Sequence, residues 1–320
     1  MSSESQVHKP VLMAQSLRFL GLQPGMVVLD GTLGAAGHAT EFLKAIQPGG
    51  FLIGLDRDPQ VAELAVRNLE AAGFARGSQF EVEVTRFSGF RKALERRRVA
   101  APDRLFLDLG VCSLHLDEAK RGFSLRREGP LDMRLNPGEP GTRSAAEILA
   151  TETESRLSWI FEKYGEERFA RRVAREIVSA RGREPLETTS QLRELVARSI
   201  PRKAWPPQVD VATRVFQALR IEANQELAEL DEVLKQLPEI MKTGGRAGII
   251  SFHSLEDRPV KKAFREWAQG CVCPPELPIC VCSNEPSIRI LTPKPAVAET
   301  EEVEANPRSR SAKLRVAEWL

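Results

Sequence analysis

Short, nearly continuous apolar runs alternate with helix-period stretches along the first third of the chain. The runs MVVLD (26–30), FLIGLD (51–56), FEVEV (80–84) and RLFLDL (104–109) predict strands. Three of them carry an aspartate at or beside the carboxyl end: Asp30, Asp56 and Asp108. That is the pattern of a parallel strand buried on both faces, with its polar residue at the mouth of the sheet. Between the second and third runs, PQVAELAVRNLEAAG predicts a helix. Val61, Leu64, Ala65 and Leu69 share one face, and Gly73 ends it. Strand, helix and strand in alternation define a doubly wound α/β sheet.

The fifth strand comes late. AGIISF (247–252) follows Gly244 and Gly245, far beyond Leu109. An ordinary crossover unit takes about 30 residues, so the intervening chain is an insertion. Its pattern is helical. Ser144 with Glu147 makes a capping box, and Thr188 with Gln191 makes a second candidate. Phe169, Val173, Ile177 and Val178 keep helical spacing up to Gly182. Phe216, Leu219, Ala223, Leu227, Leu230, Leu234 and Leu237 form one longer stripe, which predicts a single long core helix returning the chain to the sheet. SIRILT (287–292) and AKLRVAEW (312–319) predict a closing antiparallel pair. The organisation expected is a discontinuous sheet domain, 1–116 with 212–320, and an inserted helical domain, 117–211.

Composition narrows the class. Hydrophobic residues are 42% and charged residues 28% of the 320, as in ordinary globular proteins. The net charge of +2 is too small to imply nucleic acid by itself. The start, MSSESQVHKP, lacks a basic and apolar signal segment. No apolar run approaches the roughly 20 residues that cross a bilayer. A cytoplasmic protein is the expectation. Five cysteines in a chain of this length point to reduced thiols or a metal site rather than a disulfide framework.

The candidate chemistry begins after the first strand. Asp30 runs into Gly31, Gly34, Ala35, Ala36 and Gly37. Small residues between a strand and a helix let a ligand approach the backbone closely. Asp56, closing the second strand, suits the two hydroxyls of a ribose. Dinucleotide sites cradle a pyrophosphate with G-x-G-x-x-G. Here the spacing is G-x-x-G-x-x-G behind an aspartate, which suits a ligand with a cationic end and no phosphate. S-adenosylmethionine is therefore favoured over a nicotinamide cofactor. Phe87, after the third strand, is either a core residue or, as its place in the strand order favours, a residue that stacks on an adenine. An alanine at position 36 is acceptable if its φ stays negative.

The motifs DGTLGAAGH, LDRDP, DLGVCSLHLD, RGFS, GPLDMR, YGEERFARRVAREIV, ATRVFQALRI, ISFHSLEDR and NPRSRSAKLRVAE occur in order along the chain. From His8 to the C-terminus this resembles the ribosomal small-subunit RNA methyltransferase H family, also called MraW. The resemblance implies a Rossmann-like class I methyltransferase sheet with an inserted helical domain for substrate recognition. It implies methylation of the exocyclic N4 of a decoding-centre cytidine in 16S rRNA, within the small ribosomal subunit, with S-adenosylmethionine as cofactor. The family's cofactor positions fall on Ala36, Gly37, His38, Asp56, Phe87, Asp108 and His115. The chain departs from the family pattern at Ala36, where glycine is usual, at Cys112, where serine is usual, and at Leu114-His115, where Pro-Gln is usual. Asp210-Val211 replaces a His-Pro pair. Two other functions remain open: an RNA-binding assembly factor without catalysis, and a nicotinamide-dependent dehydrogenase. Oligomeric state, a homodimer included, is left open.

An exocyclic amine is a weak nucleophile, because its lone pair is delocalised into the ring. A carboxylate near it would orient the amine and take its proton. Asp108 is the candidate, against a role toward the cofactor alone. His253, in SFHSLEDR after the fifth strand, is the candidate catalytic residue or substrate contact, against a structural role capping a turn. Cys112 follows valine rather than proline, and is taken as a small packing residue rather than a nucleophile. Arg214, Gln217, Arg220 and Asn224 form a polar stripe, and Arg308, Arg310, Lys313 and Arg315 a basic cluster. Each is either a phosphate contact or an internal ion-pair network. Cys271-x-Cys273 and Cys280-x-Cys282 offer four thiols. They are either a zinc site, with unusual spacing, or reduced thiols in a Pro-rich loop.

Overall fold

The computed structural model describes Pro10–Cys273, Cys282 and Asn284–Leu320. The chain folds as two compact units, the residues up to Gly110 with Ala228–Leu320, and Val111–Leu227. The second unit takes in more chain on both sides than 117–211.

The first unit is built on seven strands: β1 Val27–Asp30, β2 Phe51–Asp56, β3 Phe80–Val84, β4 Arg104–Asp108, β5 Arg246–Ser251, β6 Ile288–Ile290 and β7 Lys313–Trp319. Their order is β3-β2-β1-β4-β5-β7-β6. β1 to β5 run parallel, and β7 lies antiparallel between β5 and β6. The closing antiparallel pair therefore forms as expected, with the last strand placed inside the first of the two.

The inner parallel strands are largely apolar because both faces are covered, whereas the edge strand β3 carries Glu81 and Glu83. Val28, Leu52, Phe106 and Ile250 pack in one cluster with Leu20, Phe42 and Phe80. The alternate positions Leu29, Ile53, Leu105, Leu107 and Ile249 pack in another with Leu237 and Phe264. A strand has a side-chain period of two, so each face draws every second residue. Each such side chain, fully buried, contributes about 1.5–3 kcal/mol. The Pro59–Ala71 helix starts where Asp58 accepts from the Gln60 N–H at 2.9 Å, with proline at the first helical position.

β1 is the first strand laid down and sits inside the sheet, so the chain runs outward from it in both directions. Asp30 pairs across to Gly54 on one side and Phe106 on the other. This reversal point at the carboxyl ends is where open α/β sheets hold ligands.

The second unit is helical: Ala145–Thr151, Glu154–Lys163, Ala170–Arg181, Thr189–Ser199 and Thr213–Asn224, with shorter turns. Both expected capping boxes form. Ser144 Oγ accepts from Glu147 N at 3.1 Å while Glu147 Oε2 accepts from Ser144 N at 2.7 Å. Thr188 and Gln191 repeat the exchange. Leu157, Phe161, Val173, Ile177, Leu192, Val215 and Leu219 fill the core of this unit. The single long helix expected across Phe216–Leu237 is two helices, Thr213–Asn224 and Glu226–Ile240. Gln225 parts them at φ 56°, in the left-handed region. Asn224 is buried there. Its amide accepts from Leu135 N at 2.8 Å and donates to Met133 O at 2.7 Å. Apolar spacing continues across the break, so periodicity alone does not reveal it.

Candidate active site

The loop after β1 is held against the strand ends by backbone. Gly31 N donates to Phe106 O, and Leu33 N to Leu55 O, each at 2.9 Å. A Cβ on Gly31 would run into the Leu107 side-chain tip and come within 3.3 Å of Phe87 Cβ, so glycine spares the core a shift there and Phe87 lies against the loop. A Cβ on Gly37 would meet Pro10 Cγ at 2.6 Å. The Gly37–Ile46 helix then begins, with Ala36 as its N-cap residue at φ 65°. The expectation of a negative φ at Ala36 is thus corrected. The chain must turn sharply into the helix, and the left-handed region is where a single residue does so.

Three carboxylates stand at the carboxyl ends of β1, β2 and β4. Asp56 is fixed by two backbone donors, Gly34 N on Oδ2 and Asp58 N on Oδ1, both at 2.9 Å. Asp30 is buried. Its Oδ1 accepts from Thr32 N at 3.1 Å, and its Oδ2 is buried with no hydrogen-bond partner. Burial, reinforced by the Asp56 charge and opposed by the Thr32 N–H, pushes its pKa up to about 7. Asp108 N donates to Thr32 Oγ1, so Thr32 ties together the ends of β1 and β4. Asp108 Oδ1 is buried without a partner. Burial first, then the Asp30 and Glu256 charges, holds the Asp108 carboxyl well above the usual carboxylate range.

His38 completes this group. Its Nε2 lies 2.9 Å from Val11 O and its Nδ1 3.7 Å from Asp108 Oδ2. Burial lowers its pKa to about 4, so the ring is neutral at physiological pH. A neutral ring donating from Nε2 to a carbonyl turns its Nδ1 lone pair toward Asp108. An acceptor facing that carboxyl agrees with Asp108 being protonated when no cation is near. The ring itself is wedged against Phe106, with centroids 4.7 Å apart.

His253 is the N-cap residue of the Ser254–Trp267 helix. Its Nε2 lies 3.1 Å from Glu256 Oε1, while Glu256 Oε2 accepts from Phe252 N at 2.8 Å. Sequence reasoning missed Thr32 and Glu256. Both lie inside motifs it used, Thr32 in DGTLG and Glu256 in SFHSLEDR, but only the folded geometry gives them roles.

His115 belongs to the second unit. It is buried, accepts from Cys112 N at 3.2 Å through Nδ1, and packs on Phe123. Cys112 and His115 together cap the short Ser113–Asp117 helix. In the same unit, the polar stripe makes hydrogen bonds to its own unit, with Arg214 itself exposed. Arg220 makes a two-point pair with Glu226, Arg214 donates to Glu166 O, and Gln217 donates to Tyr164 O. These bonds engage the stripe within its own unit, with one ion pair, Arg220–Glu226. In the first unit, Arg315 is buried on Asp257 at 2.7 Å and is a structural cation, whereas Arg308 and Arg310 are exposed. Cys271, Cys273 and Cys282 gather in one loop. Cys280 lies outside the described residues.

Two buried carboxyl oxygens without partners, above a loop of minimal side chains, fit a ligand with a cationic end and a flat nucleoside. S-adenosylmethionine has that form: a sulfonium, an ammonium, a ribose and an adenine. The sheet order and the loop after β1 define a Rossmann-like class I methyltransferase fold. The chain belongs to the MraW methylase family, whose model matches residues 5–320. It is 49% identical over 313 residues to the ribosomal RNA small subunit methyltransferase H of Geobacter sulfurreducens, covering 98% of this chain and 99% of the relative. The protein of the same name from Syntrophotalea carbinolica is 46% identical over 320 residues, covering all of both chains. That of Myxococcus xanthus is 45% identical over 324 residues, again covering both completely.

Proposed function

We propose that this protein transfers the methyl group of S-adenosylmethionine to the exocyclic N4 of a decoding-centre cytidine in 16S rRNA, in the small ribosomal subunit. The observation that carries the reading is Asp108, a half-buried carboxyl whose Oδ1 is buried and unsatisfied, near Asp30 at the reversal point of the sheet. The names of the relatives support the rRNA substrate.

The cofactor, when bound, supplies an electrophilic methyl carbon on a sulfonium. The chain's own residues do the rest. Asp56 receives the ribose hydroxyls, Phe87 stacks on the adenine, and the backbone of Ala36, Gly37 and His38 borders the amino-acid end. Asp30 faces the cationic end. A cation beside Asp30 and Asp108 favours their ionised forms. Asp108 is then a carboxylate able to accept a hydrogen bond from the N4 amine, localise its lone pair and take the proton released as the N–C bond forms. Holding amine and methyl group in line supplies much of the rate. His253 contacts the substrate base, and His115 completes the cofactor set. The helical insertion, residues 117–211, recognises the RNA. N4 lies on the pairing edge, so the target base is unpaired when methylated.

The test is to incubate the protein with labelled S-adenosylmethionine and either small ribosomal subunits or naked 16S rRNA, and to locate the methylated nucleoside. Label at cytidine N4 is expected. Label at C5, or none with either substrate, overturns the reading. Tight RNA binding without transfer would instead mark an assembly factor.

A further inference from the structure

The loop between the Ser254–Trp267 helix and β6 carries chemistry that methyl transfer does not use. Cys271 and Cys273 lie on its first limb and Cys282 on its second. Their three sulfurs all fall within 4.8 Å of one another. The Cys271 and Cys282 sulfurs are 3.7 Å apart. Two thiolates each about 2.3 Å from one tetrahedral zinc ion are separated by about 3.8 Å. The observed spacing is therefore that of one tetrahedron edge, and nearly twice the roughly 2.05 Å of a disulfide.

The surroundings favour thiolate. Val272 N, between the first two cysteines, donates to Cys282 Sγ at 3.3 Å. A hydrogen bond donated to sulfur stabilises its charged form. The base of the loop is closed independently of the thiols. Asn284 Nδ2 donates to Gln269 O and Gly270 O, both at 2.8 Å, and Ser287 N donates to Trp267 O at 2.8 Å. These bonds bring the two limbs together, so the thiols converge before any ion arrives and less ordering is lost on binding.

We propose that Cys271, Cys273 and Cys282 bind one zinc ion as thiolates. Each thiol releases its proton to solvent as its sulfur forms the Zn–S bond, and no electron is transferred. Tetrahedral coordination takes a fourth donor that these three do not supply. Soft sulfur ligands select zinc over calcium, magnesium or manganese, which prefer oxygen. The ion clips a surface loop together and takes no part in methyl transfer.

The experiment uses the full chain, purified under reductant. Metal content is measured by plasma mass spectrometry, and cobalt(II) is titrated into metal-stripped protein. One zinc per chain is expected. So are a thiolate-to-cobalt band in the near ultraviolet and the visible bands of tetrahedral cobalt, all abolished by added zinc. Cys271→Ser with Cys282→Ser should weaken cobalt binding by roughly tenfold or more, whereas Cys112→Ser should leave it unchanged. A fold-independent readout is alkylation of the native chain: zinc should slow iodoacetamide at Cys271, Cys273 and Cys282 but not at Cys112. Absence of cobalt bands in fully reduced protein overturns the proposal. So do bands that survive in the double variant, alkylation indifferent to zinc, or iron with acid-labile sulfide in place of zinc.

Discussion

Asp30 and Asp108 differ from most surface carboxylates in one respect: both are more stable protonated than a water-exposed group would be. For Asp30 the folded value is about 7 against an ordinary 3.8. The folded state therefore holds a proton that the unfolded state releases, and stability from this group declines as pH rises from 3.8 to about 7. A cationic ligand binds the ionised form. Affinity for S-adenosylmethionine should thus fall as pH drops below 7, approaching about tenfold per unit on the acid side. Calorimetric titrations at a series of pH values test this, and a flat profile refutes it. Asp108→Asn should slow methyl transfer by about 10²–10⁴-fold at saturating donor. The same variant should melt no lower than the native protein at pH 8, since it removes a carboxylate whose ionised form burial disfavours. Single-turnover rates and thermal melts read the two effects separately. That Asp30, Asp56 and Asp108 close their strands is legible in the sequence. The raised pKa values of Asp30 and Asp108 are not, because they depend on burial and on like charges far along the chain.

The loop between β1 and the Gly37–Ile46 helix is the element most constrained by shape. Gly31→Ala would drive a methyl to within 2.4 Å of Leu107 Cδ2. Overpacking of that kind should cost about 1–3 kcal/mol in urea unfolding. Ala36 presents the reverse case. Its φ of 65° is strained for any residue with a Cβ, so Ala36→Gly should stabilise the protein by about 1 kcal/mol. A loss of stability would mean that burial of the Ala36 methyl outweighs the strain. The G-x-x-G-x-x-G spacing announces a tight turn, yet not which residue takes the left-handed conformation. The same holds at Gln225. Seven apolar positions at helical spacing predict one helix, and a single left-handed residue makes two without disturbing the spacing.

At the scale of the whole molecule, the last strand locks the sheet. β7 pairs with β5 through Arg246↔Glu318 to Ser251↔Lys313, and with β6 on its other edge. Arg315 on β7 is buried against Asp257, whose carboxyl burial would raise. The Arg315 hydrogen bond and charge, with Lys313 nearby, instead hold it below the usual range. Arg315→Ala should destabilise the protein by about 1–3 kcal/mol, because it removes a two-point hydrogen-bonded pair and leaves Asp257 with Lys313 at 3.7 Å to balance its charge. Chemical denaturation at neutral pH measures this, and the loss should shrink as pH falls below the ordinary carboxylate range and Asp257 takes up a proton. RNA binding, if it uses phosphate contacts, should weaken steeply with salt. A filter-binding series in potassium chloride reads the slope. Among the described residues, no helix is long and apolar enough to cross a membrane.

What the sequence by itself determined is whatever depends on local spacing. Continuous apolar runs gave the parallel strands, a Ser or Thr three residues before Glu or Gln gave the helix caps, and small residues after Asp30 gave the ligand loop. Tertiary structure decided whatever depends on partners distant in the chain. Asn224 finds a donor 89 residues away and an acceptor 91 residues away, and Arg315 finds Asp257 58 residues away. Those pairings engage Asn224 and Arg315, for which the sequence left phosphate contact and internal bonding both open, in internal bonds. Burial beside other carboxylates raised the pKa of Asp30 to about 7 and that of Asp108 well above the usual carboxylate range. Neither effect leaves a periodic trace, because each is set by which side chains meet in space and how much water is excluded where they do.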